Sequence, residues 1–214
     1  MRISNYKILK KISLMCADSI WGFVCASSIY RHEKNQFAGI MNMLAATPVG
    51  ASSEIIDARL RRLYEYWNAK RGDRPAPSRR DIDPVEIPDL LGFVNIYEVQ
   101  DEPRDFKVRL NGSEVAEMLG QDIAGKYCST VISGPDAVRF NTAFDLCVDQ
   151  CRPAIVETSL AFCGKPYMAQ TIVVLPLSSD GESVDMIVTA HSYHTLDSAD
   201  RLINLDFPRS AAGR

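Results

Sequence analysis

The chain has 214 residues, of which 46% are hydrophobic and 24% are charged, values typical of a folded globular protein. Its formal net charge at pH 7 is −3, so no excess of positive charge indicates nucleic acid, and we expect no nucleic-acid partner. The length suffices for one domain with extensions, because most domains have about 100 to 150 residues.

Six cysteines are scattered along the chain without the regular spacing of a disulfide scaffold, at positions Cys16, Cys25, Cys128, Cys147, Cys151 and Cys163. Reduced thiols in the cytoplasm are the simplest interpretation. Cys147 and Cys151 could share a helix face, but no CxxC or HxxxH motif supplies the other ligands that zinc requires. We therefore expect a cytoplasmic protein without a metal site.

The N-terminus combines four basic residues in positions 1–11 with an apolar run over residues 12–30. This is the outline of a secretion signal or a membrane anchor. Asp18 interrupts the run, however, and its length barely reaches the roughly 18 to 20 residues of a membrane span. We favour a start at Met41 or Met43, with residues 1–52 as a poorly ordered leader, and keep a membrane anchor as the alternative.

Residues Ser53–Arg71 predict an amphipathic helix, with Ser52 or Ser53 as its cap and Gly72 as its end. One apolar stripe is formed by residues spaced four, three and four apart, namely Ile56, Leu60, Leu63 and Trp67. The stripe either packs on its own domain or forms a dimer or partner face. Both interpretations stay open at this point.

A segment dense in proline leads from this helix to the first strand, so that residues 53–92 form an N-terminal helix and a lead-in segment. Ser78 and Asp81 are spaced as a capping pair, and Asp83-Pro84 is a typical helix start. We therefore expect two short helical turns before the main domain.

The main domain is expected over residues 93–196, followed by a tail over residues 197–214. Strand patterns at 93–99 and 106–110 predict a hairpin. A short helix from Ser113 to Gly120 and a longer one over 136–151 come next, the latter with Val138, Ala143, Leu146 and Cys147 pointing inward.

Three further strand patterns end the domain, at 154–162, 167–178 and 183–194. The short turns between them predict an antiparallel meander. The first hairpin must join the same sheet, because its apolar face would otherwise be exposed. The predicted class is α+β.

This order of elements resembles a PAS domain, and in particular a group of bacterial PAS proteins, found mainly in alphaproteobacteria, that largely lack an assigned function. The resemblance covers about residues 53–196 and depends on three motifs, DIDPVEIPDLL (81–91), RLNGSEV (109–115) and GQDIAGKY (120–127). It implies a five-stranded antiparallel sheet with helices packed on one face. It also implies sensing or protein association, without specifying one reaction.

The stretch around Cys128 partly matches the GxNCRFLQ motif of light-oxygen-voltage domains, in which a cysteine forms an adduct with flavin. Only the glycine and the cysteine agree, since Tyr127 replaces the asparagine and no arginine follows. Haem-binding PAS domains use a histidine on or beside the long helix, and residues 135–153 contain none. We expect no cofactor.

Catalysis by Cys128 would require a base, and His191 is the candidate for that role. His191 and His194 are three residues apart on a strand pattern, so they should face opposite sides of the sheet. No third group or oxyanion-stabilising element is identifiable. We therefore interpret Cys128 as a packing residue, name no catalytic residue and expect no enzyme.

The resemblance implies a small cavity between the sheet and the long helix. We expect its lining to include Val108 and, as the main candidates, Tyr97, Leu110, Tyr127, Cys128, Phe140, Phe144, Met168 and Ile187. Most of these side chains are apolar, so a filled core without a ligand stays as the alternative.

The predicted function is a stand-alone sensory and regulatory module in signal transduction, because no enzymatic or DNA-binding output segment fits after Leu196. It would act through protein association, as a homodimer or with another protein, and with a small ligand in the core. The alternatives are a small-molecule-binding protein or degenerate enzyme that uses the cavity, and a membrane-tethered sensor if residues 12–30 form an anchor.

Overall fold

The computed structural model describes residues 47–196, and every structural statement below concerns that part of the chain. The apolar run 12–30 and the tail 197–214 lie outside it, as does most of the predicted leader. Within residues 47–196, no helix has both the length and the hydropathy needed to cross a lipid bilayer.

Six strands form one antiparallel sheet with the spatial order β1-β4-β5-β6-β2-β3. They are β1 (Thr47–Pro48), β2 (Val94–Asp101), β3 (Arg104–Leu110), β4 (Ala154–Leu160), β5 (Lys165–Leu177) and β6 (Met186–Thr195). The two longest strands, β5 and β6, are the central pair.

The pairing confirms the predicted meander and the place of the first hairpin. β5 pairs with β4 on one side and with β6 on the other. β2 then joins the free side of β6, where Val94 lies opposite Ala190, and β3 follows β2. The predicted mixed fold with an antiparallel sheet is therefore confirmed.

A sixth strand, β1, adds to the five that the resemblance implies. Thr47 lies opposite Ile155 and Pro48 opposite Ala154, so the end of the expected leader pairs with the outer strand of the sheet. The amide of Val49 extends this contact by donating to the Pro153 carbonyl at 2.9 Å. Residues 47–49 thus belong to the folded domain.

Four α-helices accompany the sheet, namely α1 (Ala58–Arg71), α2 (Ser113–Leu119), α3 (Cys128–Val131) and α4 (Gly134–Gln150). Single 3-10 turns occur at Ser52–Glu54, Arg79–Asp81, Pro84–Glu86, Leu91–Phe93 and Ala161–Cys163. The two turns predicted for the lead-in segment are present. Ser78 and Asp81 form the predicted capping box, and Asp83 caps the turn that begins at Pro84.

Helix α1 begins later than its stripe predicts. Its N-cap is Asp57, whose Oδ1 accepts hydrogen bonds from the amides of Arg59 at 2.8 Å and Leu60 at 3.1 Å. Ser52 and Ser53, the predicted caps, lie in a separate 3-10 turn. The buried side chain of Ile55 lies in the extended stretch between them. The predicted end at Gly72 is correct.

The sheet is covered by helices on both faces. Alternate residues of β5 point in opposite directions, so Val173 and Leu175 pack in one apolar core with α1. Ile172 and Val174 pack in a second core with α4. The N-terminal helix therefore lies on the opposite face from the long helix, whereas the resemblance implied helices packed on one face.

Two hydrogen bonds attach α1 to the central strands. The indole Nε1 of Trp67 donates to the backbone carbonyl of Pro176 on β5 at 2.7 Å. At the other end of the helix, the Ser192 hydroxyl on β6 donates to Asp57 Oδ2 at 2.6 Å. The helix is thus held at both ends by polar contacts, in addition to its apolar packing.

This packing favours the first of the two interpretations of the α1 stripe, packing on its own domain. Leu60, Leu63 and Trp67 are buried against β5 and β6 of the same chain. Ile56 precedes the helix and is 92% exposed. Of the four residues of the stripe, Ile56 is therefore the one that is exposed to solvent. On α4, similarly, Val138 faces solvent although an inward position was predicted.

Parts of the edge strand β3, and of β4 beyond its short pairing with β1, are bonded within the chain. On β3, the amide of Val108 donates to the Lys126 carbonyl and its carbonyl accepts from Gly125. On β4, the amide of Ser159 donates to Asp136 Oδ1 at 2.9 Å. Unpaired strand edges are the usual template for strand addition, so these contacts disfavour a partner that binds by extending the sheet.

We predict that Trp67→Ala lowers the free energy of unfolding by about 3 to 5 kcal/mol, because it leaves a cavity between α1 and β5 and removes the bond to Pro176. Ile56→Ala is the matched control and should change the value by no more than about 0.5 kcal/mol. Urea unfolding followed by circular dichroism measures both. Equal stabilities of the two variants would contradict the packing of α1 on the sheet.

Candidate ligand cavity

A small cavity lies between the sheet and the helices α2, α3 and α4. The space open to the centre of a water molecule is about 20 Å³, which is enough for about one water. Its apolar wall consists of Cys128 and seven larger side chains, namely Val115, Leu119, Ile123, Val131, Ile132, Phe140 and Phe162.

The opposite wall of the cavity is polar and belongs to the sheet. Four side chains form it, Asn95 and Tyr97 from β2, Gln170 from β5 and His191 from β6. All four are buried. Polar groups on an inner sheet face are costly unless they are hydrogen-bonded, so their partners decide how the wall is built.

The four side chains belong to one hydrogen-bonded chain that crosses the sheet. The Gly112 amide donates to Asn95 Oδ1 at 2.9 Å, and Asn95 Nδ2 donates to the Tyr97 hydroxyl at 3.0 Å. Tyr97 also bonds the Thr189 side chain. The chain therefore begins at the N-terminus of α2 and reaches β6 through β2.

On β6 the chain continues through His191 to the outer part of the sheet. Thr189 Oγ1 lies 3.0 Å from His191 Nε2, and His191 Nδ1 lies 3.0 Å from Gln170 Oε1. Gln170 Nε2 then donates to Thr158 Oγ1 on β4 at 3.0 Å. Because Gln170 Oε1 can only accept, Nδ1 of His191 carries the proton and Nε2 accepts from Thr189.

Burial lowers the pKa of His191 to about 3. The imidazole is therefore neutral at physiological pH, which agrees with the donor and acceptor roles assigned to its two nitrogens. His194, three residues later, lies on the exposed side of the strand, 3.9 Å from the Glu157 carboxylate. The two histidines face opposite sides, as their spacing predicts.

Tyr97 joins the polar wall to the aromatic core. Burial raises the pKa of its hydroxyl, so it remains protonated and can donate. Its ring packs edge-to-face on Phe144 with centroids 5.0 Å apart, and Phe144 stacks on Phe140 at 3.9 Å. The position of the hydroxyl is therefore determined by packing as well as by hydrogen bonds.

The structure brings three of the eight predicted lining residues to the cavity, Tyr97, Cys128 and Phe140. Phe144 and Ile187 are fully buried in the adjacent core without reaching the cavity. Val108, the additional residue considered, lies in the same core. These positions follow the inward alternation that the sequence indicates.

Three predicted lining residues lie elsewhere. Leu110 and Tyr127 are each 38% exposed, and Met168 lies near the end of β5 opposite Thr195. Tyr127 has turned outward over the Lys107 ammonium, 5.8 Å from its ring centroid. The alternation of inward and outward side chains along β3 does not extend to Leu110, because the pairing register of β2 and β3 shifts between Ile96 and Tyr97.

Apart from Tyr97, the polar wall was not predicted as part of the cavity. Its signal in the sequence is the presence of single polar residues inside apolar strand runs, as with Asn95 in FVNIY and Gln170 in YMAQTIVV. A polar residue whose neighbours two positions away are buried should itself face the core. Only the fold shows that Asn95, Gln170 and His191 meet at one cavity.

Cys128 lies at the start of α3 on the cavity wall. Burial raises the pKa of its thiol, and the nearby Asp105 carboxylate raises it further. His191 cannot serve as its base in this arrangement, because both ring nitrogens already bond other side chains. Within residues 47–196, moreover, no group of three or more His, Cys, Asp or Glu side chains is placed to hold a metal ion.

We predict that iodoacetamide alkylates Cys151 and Cys163, which are partly exposed, well before Cys128 and Cys147, which are buried. Alkylation requires that the reagent reach the sulfur and that the thiol be deprotonated. Burial hinders both steps for Cys128 and Cys147. Peptide mass spectrometry of the native protein at pH 8 distinguishes the sites. Labelling of Cys128 as fast as Cys163 would contradict its place in the wall.

We also predict that the protein loses stability as the pH falls below about 6.5, because unfolded His191 binds a proton there and the folded imidazole does not. The contribution reaches up to about 1.4 kcal/mol per pH unit. Urea unfolding between pH 6.5 and 5 measures the slope. His191→Gln should reduce it and His194→Gln should not, whereas equal slopes in all three proteins would refute the neutral buried histidine.

Comparison with known proteins agrees with this architecture. The family model described as PAS domain matches residues 56–190, which is more than half of the chain. No curated protein matches the chain, and no solved structure matches it either. The matched range runs from the residue before the Asp57 cap of α1 to Ala190 in β6 and includes most of the cavity wall. The chain therefore belongs to the PAS domain family, whose members are in general sensory and regulatory modules.

Proposed function

We propose that the protein is a regulatory module in signal transduction that associates with a protein partner and responds to a small ligand in its cavity. The observation that carries this proposal is the position of β6 between the cavity and α1. His191 faces the cavity, and the next residue, Ser192, bonds the N-cap of α1 on the other face. A change at the cavity wall thus has a direct covalent and hydrogen-bonded route to the helix.

This route ends at the Asp57 carboxylate, which accepts the hydrogen bond from Ser192. Burial by itself would raise its pKa, but hydrogen bonds from the Ser192 hydroxyl and from the Leu60 and Arg59 amides outweigh that effect, so the pKa is lowered. The carboxylate is therefore charged at neutral pH and accepts three bonds at once. Loss of the bond from Ser192 would weaken both the cap and the attachment of α1 to the sheet.

The partner surface in this proposal is the outward side of α1 together with Ile56, which lies two residues before the helix. Ile56 supplies an apolar side chain that is 92% exposed, and Ala58, Arg62 and Glu65 are exposed beside it along the helix. A buried apolar anchor with a polar rim is the usual composition of a protein interface. A second copy of the chain is the simplest occupant.

A second function, binding of a small molecule as an end in itself, is favoured by the polar wall of the cavity. Asn95 and Gln170 place amide groups in a buried position there, although apolar side chains would fill the space at a lower free-energy cost. Both functions require the cavity to bind a small molecule. Only the first requires α1 to contact a partner.

We predict that Ile56→Glu raises the dissociation constant of the homodimer by about tenfold or more, because it places an unpaired charge in the apolar anchor of the interface. Sedimentation equilibrium of the full chain measures this constant. Val138→Glu is the matched control, since Val138 is also apolar and 51% exposed but lies on α4, on the opposite face of the sheet from α1.

Equal dissociation constants for the wild type and Ile56→Glu would refute association through this surface. A wild-type chain that remains monomeric at about 100 μM, well above the micromolar range of weak specific complexes, would refute the homodimer. Circular dichroism establishes that each variant is folded, which is expected because both substituted positions are exposed.

A further inference from the structure

The cavity wall carries polar groups but no charge among its twelve residues. Neither Asp, Glu, Lys nor Arg is present in the lining. His191 is neutral at physiological pH, since burial lowers its pKa to about 3. An ion in this cavity would lose its hydration without meeting an opposite charge, which is a large free-energy cost.

The two amide side chains of the wall have hydrogen-bonding capacity that the protein does not use. A primary amide has two N–H groups and two carbonyl lone pairs. Asn95 donates once, to Tyr97, and accepts once, from Gly112. Gln170 donates once, to Thr158, and its oxygen bonds His191. Each amide therefore has one N–H group and one carbonyl lone pair that bond no other group in residues 47–196.

A purely apolar molecule would leave this capacity unused. Buried donors and acceptors that lose their partners cost more than matched groups gain, so an apolar occupant would be penalised for displacing the water that the cavity has room for. The remaining wall, which includes Phe140 and Phe162, suits an apolar or aromatic body. A fitting ligand therefore combines an uncharged polar group with a small apolar part.

The present space of about 20 Å³ holds about one water, so a larger molecule enters only if part of the wall moves, and helix α3 is the part that can move. It is a single turn of four residues between Gly125 and Gly134, both at positive φ. Its attachment to the sheet is through the edge strand β3, where Ser129 donates to Asp105 and Tyr127 bridges Lys107. Displacement of α3 leaves the pairing among β2, β4, β5 and β6 intact.

We propose that the cavity binds a small uncharged molecule with both a hydrogen-bond donor and an acceptor, of the carboxamide class, held by Asn95 and Gln170. This inference rests on the proposed function in that a ligand in the cavity is its input, and it names the chemical class of that ligand. It is independent of whether α1 contacts a partner.

The test compares isosteric pairs, acetamide with acetate and benzamide with benzoate, in which the carboxylate carries a negative charge and lacks the N–H donors of the carboxamide. Each is titrated at pH 7 into the full-length chain, and ¹⁵N–¹H spectra record the side-chain amide signals of Asn95 and Gln170. We expect saturable shifts of these signals with the carboxamides, and binding of the carboxylates weaker by about tenfold or more. Both carboxamides are larger than one water, so their binding also tests the opening at α3, and the larger pair requires the wider opening.

Gln170→Met keeps the length of the side chain and removes its donor and acceptor, so it should weaken carboxamide binding by about tenfold, the size of one lost hydrogen bond. Thr171→Val is the matched control, since it changes the next residue, which points to the opposite face of β5, and it should leave binding unchanged. If Gln170→Met does not fold, the comparison of isosteres in the wild type decides alone.

Three results would overturn the proposal: carboxylates that bind as tightly as carboxamides, carboxamide shifts confined to residues outside the cavity, and no saturable shift with either carboxamide. None of them bears on association through Ile56, which sedimentation measures without any ligand. Failure of this inference and failure of the proposed partner surface are therefore separate outcomes.

Discussion

The burial of β5 and β6 on both faces is the constraint on which the rest of this structure depends. A strand covered on one side only would expose a row of large apolar side chains, and Val173 and Leu175 form such a row on the face away from α4. Helix α1 covers that row, and the bond from Trp67 to the Pro176 carbonyl holds it there. The proposed association surface therefore lies on the exposed side of α1 and not on the sheet.

The same two strands carry a polar chain through the other face. The bonds within a buried network favour one arrangement of its side chains, since breaking a hydrogen bond inside a core is costly. Here the chain from Asn95 to Gln170 through His191 has one consistent assignment of donors, and the neutral imidazole is the element that links its two halves. The network gives the cavity an uncharged wall whose hydrogen-bonding groups have fixed directions. That wall is the basis for the proposed class of ligand.

The side chains expected at the cavity lie there where the local pattern and the tertiary structure agree. Tyr97 and Phe140 lie on regular parts of a strand and a helix, so periodicity identified the side that faces inward. It failed for Leu110, because a register shift in the β2–β3 pair precedes it, and for Tyr127, which lies in a loop where no periodicity applies. Both errors come from backbone irregularities that no periodic pattern encodes.

The sequence by itself determined the α+β class, the order of the elements, the meander and the caps at Ser78 and Asp83, because these depend on contacts within a few residues. Only the tertiary structure decided that α1 packs on the sheet of its own chain and that Gln170 meets His191. Residues far apart in the chain become neighbours through strand order and through the choice of face. Those two properties follow from the free energy of burying the whole domain, and local sequence patterns do not specify them.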